Sequence, residues 1–169
     1  YIIASGKYQL LSSFPDVFSY TKENNAEVIF DVQFVSTTSA ADFPSELTPS
    51  GYWNGLGLSG YGNGYGSATY NVPPDLLNSY RNDGNSGKDI RDTFSIQHSW
   101  AQSATVQDTS DPFIKKYINL SLKGTSYKDW PINFIVLRYA DVLLMKAECI
   151  LHGASGSQAD VDALVNQVR

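Results

Sequence analysis

Cysteine is almost missing from this sequence. Cys149 stands alone, so no disulfide can close within the chain, and zinc sites built on cysteine pairs are excluded. Charge is sparse as well: Asp, Glu, Lys and Arg make up 17% of the 169 residues, below the usual quarter, so surface polarity must come from Ser, Asn, Thr, Gln and Gly. That balance suits an extracellular or periplasmic surface. Positive charge is in the minority, with 12 Lys and Arg against 17 Asp and Glu. The resulting net charge of −5 offers no field to recruit a polyanion, which argues against nucleic acid as a partner. No run of 18 or more apolar residues reads as a membrane-spanning helix, and no basic-then-apolar start reads as a signal peptide.

What remains is apolar and aromatic. A hydrophobic share of 42% and an aromatic share of 13% predict a globular chain, and the length predicts one domain over residues 1–169, since ~150 residues bury about two-thirds of their extended surface. Both ends read as cut. "YIIASGKYQLL" resembles the last turn of a helix stopped at Gly6, and "ALVNQVR" runs in helical pattern to Arg169, so the expectation is a fragment of a larger domain. "EVIFDVQFV" alternates and predicts a strand over residues 27–35, with Val28, Phe30, Val32 and Phe34 on one face. Residues 36–74, rich in Ser, Thr, Gly, Pro and Tyr, lack helical period and predict a long loop, far longer than an ordinary connection. "PPDLLNSYR" predicts an amphipathic helix, with Pro74 in its first turn.

Residues 131–169 predict a helical hairpin. On a wheel of 100° per residue, Val136, Leu137, Tyr139, Ala140, Leu143, Leu144, Ala147, Ile150 and Leu151 fill one arc. Cys149 reads as core packing beside them. Arg138, Asp141, Met145, Glu148 and His152 form the opposite, mostly polar line. Gly153 supplies a stop, and Ser157 with Asp160 resembles a capping box for a second helix carrying Val161, Leu164, Val165 and Val168. Small Ala140 and Ala147 leave room for close helix approach, as in repeats of the tetratricopeptide type. The expected fold is therefore mainly α, with long loops, a few short strands and a tetratricopeptide-like hairpin scaffold. Arg138, Asp141 and Glu148 read as structural rather than catalytic, because nothing else supplies partners for a catalytic set.

Binding chemistry concentrates in "GYWNGLGLSGYGNGYGSATYN", residues 51–71. Its aromatics, Tyr52, Trp53, Tyr61, Tyr65 and Tyr70, stand among glycines and asparagines. Sugars present apolar C–H faces ringed by hydroxyls, so flat rings with amides alongside suit them. Trp53 is the best candidate platform, with Tyr52, Asn54, Tyr61 and Tyr65 around it; the alternative is a Gly-rich loop whose aromatics fold back onto the domain. Trp100 and Trp130 come second, Trp130 reading as a staple where a helix begins at Pro131. Three apparent motifs carry little. Gly55, Gly57 and Gly60 fit G-x-G-x-x-G but no apolar strand precedes them. Asp83, Asn85, Gly87 and Asp89 imitate a calcium loop whose twelfth position is Phe94 rather than Glu. His98 and His152 are isolated, so no metal, and no cofactor, is expected.

Over "NFIVLRYADVLLMKAECILHGASGSQADVDALVNQVR" the sequence resembles the C-terminal helical hairpin of the SusD/RagB family, surface glycan-binding lipoproteins of Bacteroidetes. The likeness runs through Arg138-Tyr139-Ala140-Asp141, Leu143-Leu144-Met145, Ala147-Glu148 and Asn166-Gln167-Val168-Arg169. "SGKYQLL", "ENNAEVIFDVQF", "PPDLLNSYRNDG" and "KKYIN" agree in order; residues 36–72 and 95–112 agree least. The sequence departs at Cys149, where the family favours Ala, and lacks the tail expected after "NQVR". The resemblance implies part of a larger SusD-like domain that captures polysaccharide or oligosaccharide without catalysis. It implies a SusC-like TonB-dependent transporter as partner and the outward face of the outer membrane as the site. The membrane would be reached only through an N-terminal lipid anchor lying upstream.

Two other readings stay open. The hairpin and long loop could bind a partner protein, as tetratricopeptide-like modules do. A glycoside hydrolase fragment fits less well, because that chemistry needs two carboxylates flanking the scissile bond and residues 47–74 contain no Asp or Glu.

Overall fold

A computed structural model describes residues 1–49, 51–58, 61, 72–81 and 89–169. Among them helix outweighs strand, with seven α-helical elements and six short strands. The contacts divide it into two compact units, one made of residues 1–33 and 133–169, the other of residues 34–132.

The first unit opens with a single 3-10 turn, Ile3–Ser5, closed by Gly6 in the left-handed region. α1 (Phe14–Val17) follows, with Pro15 in its first turn, where a missing N–H costs nothing. β1 (Val28–Val32) then pairs antiparallel with β6 (Phe134–Arg138), with register irregularities between Val28 and Phe30 and between Phe30 and Asp31. The sequence placed 136 and 137 on the helix; they belong to β6 instead. The run Phe-Ile-Val-Leu is β-branched and aromatic, which favours the pleat, and Val32 sits opposite Phe134 across the ribbon. The ribbon turns Phe30, Val32, Phe134 and Val136 outward, each more than two-fifths exposed.

α6 (Tyr139–Leu151) grows directly from β6. Arg138 keeps extended backbone and its N–H donates to the Asp141 carboxylate at 3.0 Å, which fixes where the helix begins. At the other end, Gly153 at φ 96° lets its N–H reach the Ile150 carbonyl while Ala154 reaches Cys149, the paired bonds of a Schellman stop. Ser157 and Asp160 then bond reciprocally to start α7 (Gln158–Val168), as the sequence predicts. The two helices meet through Leu143, Ala147, Val161 and Leu164, with Ile3, Leu10 and Tyr139 against them. Burial of each of the larger aliphatic side chains contributes about 1.5–3 kcal/mol. The buried arc is narrower than predicted: Leu144 and Leu151 are exposed, and so is Cys149, which the sequence placed in the core.

In the second unit, the described residues of the 36–74 stretch include helical turns. α2 (Phe43–Glu46) and α3 (Tyr52–Gly55) are single helical turns within it, the first started by Pro44 in the opening turn. α4 (Pro74–Arg81) is the amphipathic helix expected there. α5 (Ile90–Ser95) is capped by Asp89, whose carboxylate accepts the Arg91 N–H at 2.8 Å. Strands β2 (Ile96–Gln97) and β5 (Phe113–Ile114) pair antiparallel, as do β3 (Trp100–Ala101) and β4 (Gln107–Asp108). Such short pairings cannot organise a fold alone. The order comes from an interior rich in rings, including Trp53, Trp100, Phe113, Tyr117 and Trp130.

Candidate functional site

α3 carries the aromatic residues singled out in the sequence. A Cβ at Gly55 would lie 1.6 Å from the Ala101 carbonyl oxygen, so only glycine lets α3 lie this close to β3. That approach drives the preceding rings inward. Trp53 is 0% exposed, and the ring centroids of Tyr52, Tyr61 and Trp130 lie 4.9, 5.3 and 5.7 Å from its own. Tyr52 packs edge-on to Phe113 at 4.8 Å and Trp100 at 6.1 Å.

The expected platform is therefore corrected: as folded, Trp53 is fully buried among other rings and is a core residue. Tyr52 and Tyr61 are buried with it, and burial pushes both phenols above their ordinary pKa. Asn54 alone of the described candidates faces solvent. Tyr65 and Tyr70 lie outside the described residues. Trp130 is no helix staple either. It bridges Ala41 in an antiparallel pairing, and its indole N–H donates to Ser45 Oγ at 2.8 Å and the Tyr127 carbonyl at 3.1 Å. Trp100 donates to the Asp111 carbonyl at 3.0 Å. The indole N–H of Trp53, by contrast, has no partner among the described residues.

Arg138, Asp141 and Glu148 separate into two groups. Arg138 Nη1 lies 2.9 Å from Glu27 Oε1, and its Nε lies 3.7 Å from Asp141 Oδ1. Glu27 is only 3% exposed, and its second carboxylate oxygen accepts the Leu11 N–H at 3.0 Å while its carbonyl accepts the Tyr139 N–H. The residue that sequence reasoning missed is thus Glu27. Its only signal was a charge at the head of a strand pattern, where burial cannot be read from spacing. Glu148 stands exposed, with no side-chain hydrogen bond or ion pair among the described residues.

Residues 91–169 match the SusD family. Surface glycan-binding protein A from Bacteroides uniformis aligns with 99% of this chain and 35% of its own, at 18% identity and a TM-score of 0.72. A laminarin-binding SusD-like protein gives 20% identity and a TM-score of 0.67 over 96% of this chain and 38% of its own. Surface glycan-binding protein A from Bacteroides thetaiotaomicron, solved with laminarihexaose, gives 19% and 0.59 over 98% and 39%. The C-terminal part of the chain, residues 91–169, is thus similar in sequence to the SusD family.

The fold is SusD-like across nearly the whole chain, which spans 33% to 40% of the length of these solved relatives. No curated protein matches it. The stretch that matches the SusD family contains β6, α6 and α7, and with them Arg138, Asp141 and Glu148; the aromatic residues 52–61 precede it.

Asp89, the last residue of the calcium-like run, gives both carboxylate oxygens to Arg91 Nε at 2.9 Å, and Asp83, Asn85 and Gly87 lie outside the described residues. His98 pairs with Asp92 at 2.7 Å. Among the described residues no group of three or more His, Cys, Asp or Glu is placed to hold an ion, and no helix is long and apolar enough to cross a membrane.

Proposed function

We propose that this chain is part of a cell-surface glycan-binding protein that captures oligosaccharide without cleaving it and passes it to a SusC-like TonB-dependent transporter in the outer membrane. The observation that carries this reading is the SusD-like fold over almost the entire chain together with the family match at residues 91–169. One relative is solved with laminarihexaose and another is a laminarin-binding protein, so β-glucans belong in any ligand panel. The α6–α7 hairpin serves as one unit of a tetratricopeptide-like scaffold, and a lipid anchor upstream holds the protein on the outward face. Arg138 and Asp141 act as architecture, and Glu148 is left for contacts elsewhere in the larger domain.

In this reading the segment 51–61 contributes to the ligand surface through exposed Asn54, backed by the buried Tyr52, Trp53 and Tyr61, with Tyr65 as the remaining candidate ring. Affinity electrophoresis of the full-length protein against a polysaccharide panel tests it. Selective retardation is expected, weakened by Asn54→Ala and accompanied by no release of reducing ends. Failure to be retarded by every polysaccharide removes the glycan reading; release of reducing ends removes the non-catalytic one. The exposed Leu144, Met145 and Leu151 on α6 favour a second reading, a protein-interaction module. Capture of the transporter by a protein that binds no sugar would favour it.

A further inference from the structure

Tyr61 is gripped at two points by one short turn. Its hydroxyl donates to the Gly124 carbonyl, and Lys123 Nζ lies 4.8 Å from its ring centroid. The same ring packs on Trp53 and, at 6.0 Å, on Trp130. The position of residues 123–125 therefore decides where Tyr61, and with it the inner aromatic wall, can sit.

That turn is wrapped around one carboxylate. Asp129 Oδ2 accepts the Thr125 N–H at 3.0 Å and its hydroxyl at 3.2 Å, while the Asp129 carbonyl accepts the Gly124 N–H at 2.9 Å. Oδ1 accepts the Ser36 hydroxyl at 2.7 Å and the Thr37 N–H at 2.8 Å. Asp129 is 6% exposed. A Cβ on residue 124 would fall 2.0 Å from the Asp129 carbonyl oxygen and 2.3 Å from Oδ2, so the turn closes only on glycine. Thr37 is held at φ 64°, a conformation a β-branched residue rarely adopts, and its N–H points at Asp129. Such strain persists where surrounding bonds over-determine it.

We propose that Asp129 is a positioning residue for the aromatic segment, setting Tyr61 against Trp53 and Trp130 through the Gly124 carbonyl. The reasoning is one of donors and acceptors. Every group facing Asp129's two oxygens is a donor: two N–H groups and two hydroxyls. A carboxylate accepts on both oxygens, whereas an amide of the same shape must aim its own NH2 at one of the two sets. Asn in this place keeps either residues 36–37 or residue 125 but not both. The depressed Asp129 pKa, about 2, has the same origin, with the Thr125 N–H first and Ser36 and Thr37 next.

The consequence for ligand binding rests on the glycan reading above, so the experiment uses two independent readouts on the full-length protein. The first is 13C-tyrosine NMR, in which Tyr61 is assigned by its loss in Tyr61→Phe. Asp129→Asn is expected to move the Tyr61 ring signals and lower the pH at which its phenol ionises, since burial and the Asp129 charge now both raise it. Thr125→Val, the milder change, is expected to shift the ring signals the same way. The second readout is affinity for whichever polysaccharide retards the wild type. Asp129→Asn and Tyr61→Phe are each expected to weaken it by up to about tenfold, the worth of one hydrogen bond, and the double variant no more than about twofold beyond the worse single. Unchanged Tyr61 signals in both Asp129→Asn and Thr125→Val overturn the proposal, as does full additivity of the two affinity losses. A wild type that binds no polysaccharide removes the glycan reading, and the NMR readout then decides this proposal alone.

Discussion

Removing the guanidinium of Arg138 should destabilise the first unit far more than an average charged residue would. Arg138 is 24% exposed, but its partner Glu27 is 4% exposed by side chain, and the two meet at 2.9 Å. Truncation to Ala leaves Glu27 Oε1 without its donor, while Oε2 keeps only the Leu11 N–H. Breaking a buried pair from one side costs about 3–5 kcal/mol, and the partial exposure of Arg138 admits some water, so about 3 kcal/mol is expected for Arg138→Ala. The Asp141 bond to the Arg138 backbone N–H survives the change, so the start of α6 is not the source of the loss. Removing both charges is a different perturbation. Glu27→Leu with Arg138→Met leaves no stranded carboxylate, only the part-buried Leu11 N–H without its acceptor, and should cost about 1 kcal/mol, well short of Arg138→Ala. Urea unfolding of the full-length protein, followed by circular dichroism, measures Arg138→Ala, the double variant and its two singles against the parent. The reasoning is refuted by an Arg138→Ala cost below about 0.5 kcal/mol, the level of an exposed pair, or by a double variant as unstable as the two singles summed.

Other outcomes follow from the same contacts. Ser157→Ala removes the cap of α7 and should cost about 1 kcal/mol in urea unfolding, with the loss of hydrogen-exchange protection concentrated in 158–161. Gly55→Ala places a methyl group against the Ala101 carbonyl and should abolish the near-ultraviolet circular dichroism of the ring cluster, while Gly57→Ala, which meets nothing within 4 Å among the described residues, should keep it despite some strain at φ 73°. Because Asp129 is held near pKa 2 against an ordinary 3.8, its contribution to stability is complete above about pH 4 and drains away as pH falls toward 2. Denaturation midpoints between pH 2 and 5 should show that slope in the wild type and a smaller one in Asp129→Asn.

The helical hairpin was legible because its signals are local. Ser157 and Asp160 lie three residues apart, Gly153 follows the last apolar position, and Leu143, Ala147, Val161 and Leu164 repeat at helical spacing. The start of α6 was misplaced because Val136 and Leu137 continue the apolar arc on a wheel, and only pairing with β1 decides that they are strand. Tertiary pairing likewise hid Glu27, whose burial depends on an arginine 111 positions away. The aromatic segment was misread in orientation, since composition gives the chemistry of a ring but not its facing. The one local hint was Gly55, a residue without a Cβ beside the ring it helps to bury.

Burial of Trp53 also changes what its mutation can teach. A tryptophan that stacks on a sugar and a tryptophan that props up the wall behind a sugar site both lose binding when cut to Ala. The second, however, also loses about 3–5 kcal/mol of stability, because a large cavity opens between Tyr52, Tyr61 and Trp130. Trp53→Phe separates the two. It keeps a ring in the cluster and deletes an indole N–H that has no partner among the described residues, so no hydrogen bond to those residues is lost with it. Retained affinity in Trp53→Phe, with loss in both Trp53→Ala and Asn54→Ala, assigns the rings to support and the exposed amide to contact. Affinity lost in Trp53→Phe at undiminished stability would instead place that N–H against the ligand, which requires the cluster to open when sugar binds.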